Sequence, residues 1–142
     1  MPLTLEIVTP TRLVLRKTVE SFNGPGKLGE FGVLPAHRPL LAALRSGLAR
    51  YVEDGKEHRL AIGPGFAELD NDRIIILTDA VFEPERLESP EEREEARRSA
   101  ADDRDRADAA VRSWAGPVTA GEFEESVLAL EWARARLAAL GE

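Results

Sequence analysis

Two histidines, His37 and His58, are the side chains of this sequence best suited to proton transfer or imidazole ligation near neutral pH. Neither stands in an H-E-x-x-H or H-x-H context, so neither has a second ligand at metal-binding spacing. The sequence contains no cysteine, which removes disulfides, thiolate metal sites and thiol nucleophiles together. No G-x-S-x-G segment presents a seryl nucleophile. Asp70-Asn-Asp72 has the opening of a calcium loop, but the glycine and distal glutamate that complete the ligand set are missing, and a turn is expected there. No G-x-x-x-x-G-K-[ST] loop occurs, and Gly63-Pro-Gly65 lacks the strand-to-helix setting of a dinucleotide fold. The chemistry these residues allow is contact, not bond-making.

Contact chemistry concentrates in Gly29-Glu-Phe-Gly-Val-Leu-Pro-Ala-His-Arg-Pro-Leu-Leu41, preceded by Asn23-Gly-Pro-Gly26. Prolines at 35 and 39 remove amide donors, and the glycines raise the entropic cost of ordering, so the stretch cannot be helical. It is expected to form a shaped surface loop running into a short strand, and such loops on rigid scaffolds are where contact function sits. His37, between Pro35 and Pro39, reads as a loop-packing or partner-contact residue. His58 lies among polar neighbours and is expected to be solvated.

The elements that hold this loop are strands. Segments opening at Leu3, at Leu13-Val-Leu15 and at Val19-Glu-Ser-Phe22 have β character. Asp54-Gly55 joins Arg50-Tyr-Val52 to His58-Arg-Leu-Ala-Ile62 and suits a two-residue hairpin turn with both backbone φ angles positive. Asp70-Asn-Asp72 similarly joins Phe66-Ala-Glu-Leu69 to Ile74-Ile-Ile-Leu77. Turn signals at this spacing predict a β-sandwich or flattened barrel.

From Glu83 onward alternation stops and Ala, Glu and Arg, all good helix formers, dominate. Ser89, Pro90 and Glu92 fit an N-cap, a first-turn proline and a capping-box acid, opening a helix that runs to about Trp114. Ala115-Gly-Pro-Val-Thr-Ala-Gly121 breaks it, and a second helix is expected from about Glu122 to Leu140. The first helix offers mostly methyl groups and should dock weakly, each buried carbon contributing about 0.8 kcal/mol. The second has two apolar stripes: Phe123, Val127, Leu130 and Leu137 on one side, Leu128, Trp132 and Ala139 on the other. It can be sandwiched permanently, or belong to a hairpin that leaves the β-lobe and docks elsewhere. The expected fold is α+β: an N-terminal β-sandwich over residues 1–82 and a C-terminal antiparallel two-helix hairpin over residues 83–142.

Charge divides along the same line. Residues 1–82 carry ten acids and ten bases, whereas residues 83–142 carry sixteen acids against nine arginines, the whole of the net −7. Those arginines alternate with acids, leaving no basic stripe for nucleic acid. A solvated acidic face is the ordinary reading of the second half. No run of eighteen apolar residues suggests a transmembrane helix, and Met1-Pro-Leu-Thr lacks the basic start and apolar core of a secretory signal.

Pro25-Gly26, then Gly29-Glu-Phe-Gly-Val-Leu-Pro35 with His37 and Pro39-Leu-Leu41, resembles the N-terminal domain of the ε subunit of F-type ATP synthases. That family shows P-G, a short spacer, G-[DE]-[FL]-G, an apolar pair and P-G-H-x-P-L-L. Ala36 stands where it usually has glycine. Leu5-Glu-Ile-Val-Thr-Pro10, Leu44-Arg-Ser-Gly-Leu48 and Gly65-Phe-Ala-Glu68 fall in the same order, so the resemblance runs from about residue 3 to residue 80.

The resemblance implies a non-catalytic central-stalk subunit whose sandwich holds the γ subunit and the membrane c ring and transmits torque to the catalytic α/β hexamer. It implies c-ring contact through Glu30, flanked by Gly29, Phe31 and Gly32, and γ contact through His37, Pro39 and Leu40. Glu30 taken alone can equally be a turn residue. In bacterial members the hairpin can enter the hexamer and inhibit ATP hydrolysis through basic residues of the second helix. Here that role would fall to Arg134 and Arg136, against Glu122, Glu124, Glu125 and Glu131. Some members bind ATP through I/L-D-x-x-R-A at the start of the first helix. Leu87-Glu-Ser-Pro-Glu-Glu92 stands in that place, and its added acid disfavours a triphosphate, so no cofactor is expected. The resemblance also implies peripheral placement on the cytoplasmic face of a bacterial membrane. Without it, the residues would equally suit an independent ligand-binding β-sandwich with a helical tail.

Overall fold

A computed structural model describes residues 2–142. The chain runs through β1 (Leu3–Thr9), β2 (Arg12–Val19), β3 (Ser21–Gly26), β4 (Gly29–Val33), β5 (Leu40–Leu44), β6 (Gly47–Glu53), β7 (Lys56–Ile62), β8 (Gly65–Asp70), β9 (Arg73–Thr78) and β10 (Val81–Phe82). A 3-10 turn (Pro84–Arg86) then leads to helices α1 (Pro90–Arg112) and α2 (Gly121–Ala139). This is the expected β-sandwich followed by a helical hairpin.

All ten strands belong to one sheet, ordered β10-β7-β6-β3-β5-β8-β9-β1-β2, with β4 paired to β3. Every pairing is antiparallel except β1 with β9. The sheet folds over itself so that alternate side chains share one interior, where Leu3, Leu5, Ile7, Phe22, Ile74 and Ile76 are fully buried. Each such side chain contributes about 1.5–3 kcal/mol on burial. β2 comes back opposite β6, and there the seam is joined by side chains: Lys17 Nζ donates to Glu53 Oε1 at 3.1 Å.

Turn chemistry sets the register. Asp54 and Gly55 have φ of 52° and 75°, the two positive values a tight hairpin needs, and the turn places Glu53 opposite Lys56 and Tyr51 opposite His58. Asn71 and Asp72, with φ of 50° and 57°, do the same between β8 and β9. The segment from Gly29 differs from expectation. It is a strand, β4, paired residue for residue with β3, and only residues 34–39 form the loop.

Ser89 caps α1: its Oγ accepts the Glu92 amide at 3.1 Å, with Pro90 in the first turn. α2 lies between α1 and the outer surfaces of β6 and β7. One stripe, Trp132, Ala135 and Ala139, rests with Ala61, Leu48 and Phe82. The opposite stripe, Leu130, Ala133 and Leu137, is buried on the side of α1. Both apolar faces are therefore used, except that Leu128 stays 40% exposed and Phe123 turns toward Trp114, ring centroids 5.5 Å apart. The methyl-rich α1 packs against α2 through residues such as the buried Ala100 and Ala107.

Candidate functional site

The glycines of β3 make the β3–β4 hairpin possible by leaving room for two rings. A Cβ on Gly24 would lie 2.8 Å from Phe22 Cε2 and 3.1 Å from Phe31 Cζ, and one on Gly26 would lie 2.6 Å from Gly29 O. Phe22 and Phe31 meet at 6.3 Å between centroids, one ring in the core and the other half-buried above it. Phe31 thus anchors the hairpin while Gly29, Glu30 and Gly32 stay exposed. The turn end of the hairpin is tied to β5 and the residue after it: the Lys27 amide donates to Ala43 O at 2.9 Å, and the Arg45 amide to Pro25 O at 3.0 Å.

Glu30 is paired within the chain. Arg50 on β6 donates through Nη2 to Glu30 Oε1, and its Nη1 lies 3.6 Å from Glu57 Oε1 on β7. The loop that follows is held from a distance. Ala36 has φ of 66°, the left-handed region that favours glycine, and its amide donates to Asp72 Oδ1 at 2.6 Å. His37 and Pro39 point to solvent, and Leu40, half-buried, begins β5. The sequence places residues 29–32 and 37–40 near one another; the structure puts them at the hairpin and at the loop leaving it, without direct contact between the two sets among the hydrogen bonds described.

A second surface was not singled out from the sequence. On the outer side of the sheet, Ala43, Phe66, Leu77, Val8 and Leu13 stand opposite one another across β5, β8, β9, β1 and β2. Phe66, Leu77 and Leu13 are 56%, 50% and 45% exposed. In the next row Leu41, Glu68, Ile75, Glu6 and Arg16 are aligned in the same way. Glu6 is buried there beneath two arginines: Arg16 Nε and Nη2 donate to its Oε2 at 2.8 and 2.6 Å, and Arg73 Nε to its Oε1 at 2.6 Å. The Arg73 and Arg16 hydrogen bonds hold the Glu6 carboxyl below its ordinary pKa against the opposing effect of desolvation. Strand alternation was the signal that could have found this face, because residues 4, 6 and 8 must point away from Leu3, Leu5 and Ile7.

In the hairpin, Arg134 is exposed, whereas Arg136 is enclosed. Arg136 Nη2 donates to Asp103 Oδ2 at 2.8 Å, its guanidinium lies 5.7 Å from the Trp132 ring centre, and its Nε is buried without a hydrogen-bond partner. At the start of α1, Glu91 and Glu92 are exposed in the first turn, and Arg93 Nη1 turns back to Pro84 O at 3.4 Å. His58 corrects the expectation of a solvated ring. Its side chain is 14% exposed, it stacks on Tyr51 at 4.8 Å and 10°, and its Nδ1 bonds Glu85 of the linking turn at 2.8 Å. Burial raises the Tyr51 pKa.

Among the described residues no group of three metal-ligating side chains converges, and no helix is long and apolar enough to cross a membrane.

The family model for the ATP synthase, Delta/Epsilon chain, beta-sandwich domain matches residues 2–84. The ATP synthase epsilon chain of Anaeromyxobacter sp. (strain Fw109-5) is 48% identical over 79 residues, covering 56% of this chain and 60% of the relative. That of Nitratidesulfovibrio vulgaris (strain DP4) is 42% identical over 84 residues, covering 59% and 63%. The match thus spans about three fifths of the length of these curated relatives. Among solved structures, a chain of the Euglena gracilis mitochondrial ATP synthase, OSCP/F1/c-ring in rotational state 1, superposes with a TM-score of 0.76 at 21% identity, covering 98% of this chain and 81% of its own. A chain of the Tetrahymena thermophila mitochondrial ATP synthase central stalk and c ring gives 0.52 at 9% identity, covering 63% and 72%. At these identities the structural likeness is one of fold, and the Euglena match extends it to the helical hairpin.

Proposed function

The chain belongs to the ATP synthase delta/epsilon-chain family, and from that premise we propose that it is a non-catalytic central-stalk subunit of a rotary ATP synthase. In this reading it couples ion passage through the c ring to ATP synthesis by way of the γ subunit, from the cytoplasmic face of the membrane. Residues 1–82 are the coupling unit and residues 83–142 the regulatory or structural one. Gly29, Glu30, Phe31 and Gly32 meet the c ring, and His37, Pro39 and Leu40 meet γ. The observation that carries this is the braced hairpin. Glycine-lined backbone, the Phe22–Phe31 anchor and the ties to β5 hold the Glu30 edge stiffly, as a part that transmits force requires.

The C-terminal hairpin acts, on this reading, as an arm that restrains ATP hydrolysis, with Arg134 and Arg136 as its contacts on the catalytic hexamer. Arg134 is available as the chain stands. Arg136 would first have to leave Asp103. No nucleotide is assigned to the start of α1, where Glu91 and Glu92 oppose a triphosphate.

The test is ATP hydrolysis by the reconstituted catalytic complex, with the full chain and with one ending at Phe82, at matched incorporation. Faster hydrolysis on truncation supports the arm. Equal rates reject the arm and leave the coupling role standing. Failure of the full chain to incorporate rejects the central-stalk reading itself.

A further inference from the structure

A cleft of about 350 Å³ lies where α2 rests on the sandwich, walled by both halves of the chain. The sandwich supplies three turns: Ser46 between β5 and β6, Gly63-Pro64 between β7 and β8, and Asp79-Ala80 between β9 and β10. Two of these turns are stapled together. The buried Thr78 hydroxyl donates to Gly63 O at 2.8 Å, and the Gly63 amide donates to Ala80 O at 2.9 Å. The Asp79 carboxylate lies so close over Gly63 that a Cβ there would collide with Oδ1. The other wall, Leu128, Ala129 and Trp132 of α2, is apolar. Leu128 is the one large hydrophobic residue of that helix left exposed, and it lines this cleft. The polar groups call for a donor. Asp79 is the only charged residue lining the cleft, and its carboxylate, which can only accept, forms no ion pair or hydrogen bond among the described residues. Ser46 is 6% exposed, and its hydroxyl likewise has no hydrogen-bond partner among them. An enclosed polar group without a partner is costly, and a ligand that supplies the partner recovers that cost.

We propose that this cleft binds an organic ammonium, a protonated primary amine on a compact apolar body. The ammonium meets the Asp79 carboxylate, and the body packs on Leu128, Ala129 and Trp132. An anion of the same shape is rejected, because it would face the unpaired carboxylate as a like charge. Both halves of the chain supply walls, so the complete site exists only while α2 lies on the sandwich. Binding therefore stabilises the docked hairpin by mass action. This binding is independent of the central-stalk reading.

The experiment is titration of the full chain with phenethylammonium, followed by the NMR shifts of backbone amides and tryptophan indoles. Phenylpropionate, with the same body and the opposite charge, and methylammonium, with the charge and no body, are the controls. The expected result is saturable binding in the millimolar range or tighter, with shifts centred on Ser46, Gly63, Asp79, Ala80 and the Leu128–Trp132 turn. Both controls should bind about tenfold more weakly or not at all. Asp79→Asn should weaken binding about tenfold. Ala129→Leu, at an exposed position, should fill the cleft and abolish binding. Each variant is first shown to unfold at a temperature close to that of the unaltered chain. Amide exchange along α2 should slow when the probe is bound. No saturable binding, equal binding of either control, or unchanged affinity in Asp79→Asn or Ala129→Leu overturns the site. Binding in the cleft without slower exchange in α2 overturns its coupling to the docked hairpin. Each of these outcomes leaves the central-stalk reading intact.

Discussion

Arg136 on α2 donates to Asp103 on α1 at 2.8 Å, and this ion pair closes the long side of the helical hairpin beside Trp132. Asp103 also accepts from Arg106 Nη2 at 3.1 Å, so one carboxylate serves two arginines.

Removing that carboxylate should cost more than removing the arginine. Asp103→Ala leaves a mostly enclosed guanidinium, whose Nε already lacks a partner, without its counter-charge, an expected loss of about 1–3 kcal/mol. Arg136→Met replaces the charge with an apolar chain of similar length beside Trp132 and should be close to neutral. Thermal unfolding of the two variants checks the order. Equal losses would show that the pair, and not the stranded cation, sets the cost.

Acid should unfold the sandwich partly through Glu6. Its folded pKa is depressed by Arg73 and Arg16, so its contribution is present above the unfolded value of about 4.3 and is lost as pH falls through the folded one. A stability profile from pH 6 to pH 2 should fall more gently for Glu6→Gln than for the unaltered chain. Parallel profiles would show that Glu6 titrates alike in the folded and unfolded chain.

Gly65→Ala should be among the most damaging single methyl additions. A Cβ there would stand 1.8 Å from Leu77 O, in backbone that belongs to the β8–β9 ladder. The neighbour cannot move without breaking pairing, and the expected loss is about 3 kcal/mol, the upper end for overpacking. Denaturant unfolding reads it. A loss below about 1 kcal/mol would mean that the strand end opens freely.

Ser89→Ala removes the cap of α1, whose Oγ accepts the Glu92 amide. About 1 kcal/mol should be lost, and the loss should appear in α1 while sparing the strands. Amide exchange resolves this. Uniform acceleration across the β-sandwich would show instead that the two halves open together.

Much of this architecture was legible because it is set by neighbours in sequence. Asp54-Gly55 and Asn71-Asp72 carry their own backbone preferences, and Ser89-Pro90 announces the helix before any packing exists. The pairing of the end of β3 with β4 was not legible. Gly24, Pro25 and Gly26 argue locally against a strand, and what stabilises the pairing is the Phe22 and Phe31 rings over Gly24, brought there by the fold. His58 misled for the same reason. Its sequence neighbours are polar, but Tyr51 reaches it across the β6–β7 hairpin and Glu85 from the linking turn. The register of that hairpin follows from Asp54-Gly55, so the Tyr51 partner could have been counted out, whereas the Glu85 partner could not. At the candidate site the sequence marked the stretch from Gly29 to Leu41 and missed the brace. Arg50 on Glu30 comes from β6 and Asp72 on Ala36 from the β8–β9 turn, both distant in sequence.

The Arg50 brace changes what Glu30 can offer a visitor. Arg50 already compensates one oxygen of this carboxylate, so an arriving cation meets the remaining oxygen of an ion pair and not a bare charge. The arginine beside it weakens the attraction, and at this exposed edge salt screens what is left. A contact of that kind is easily made and easily broken.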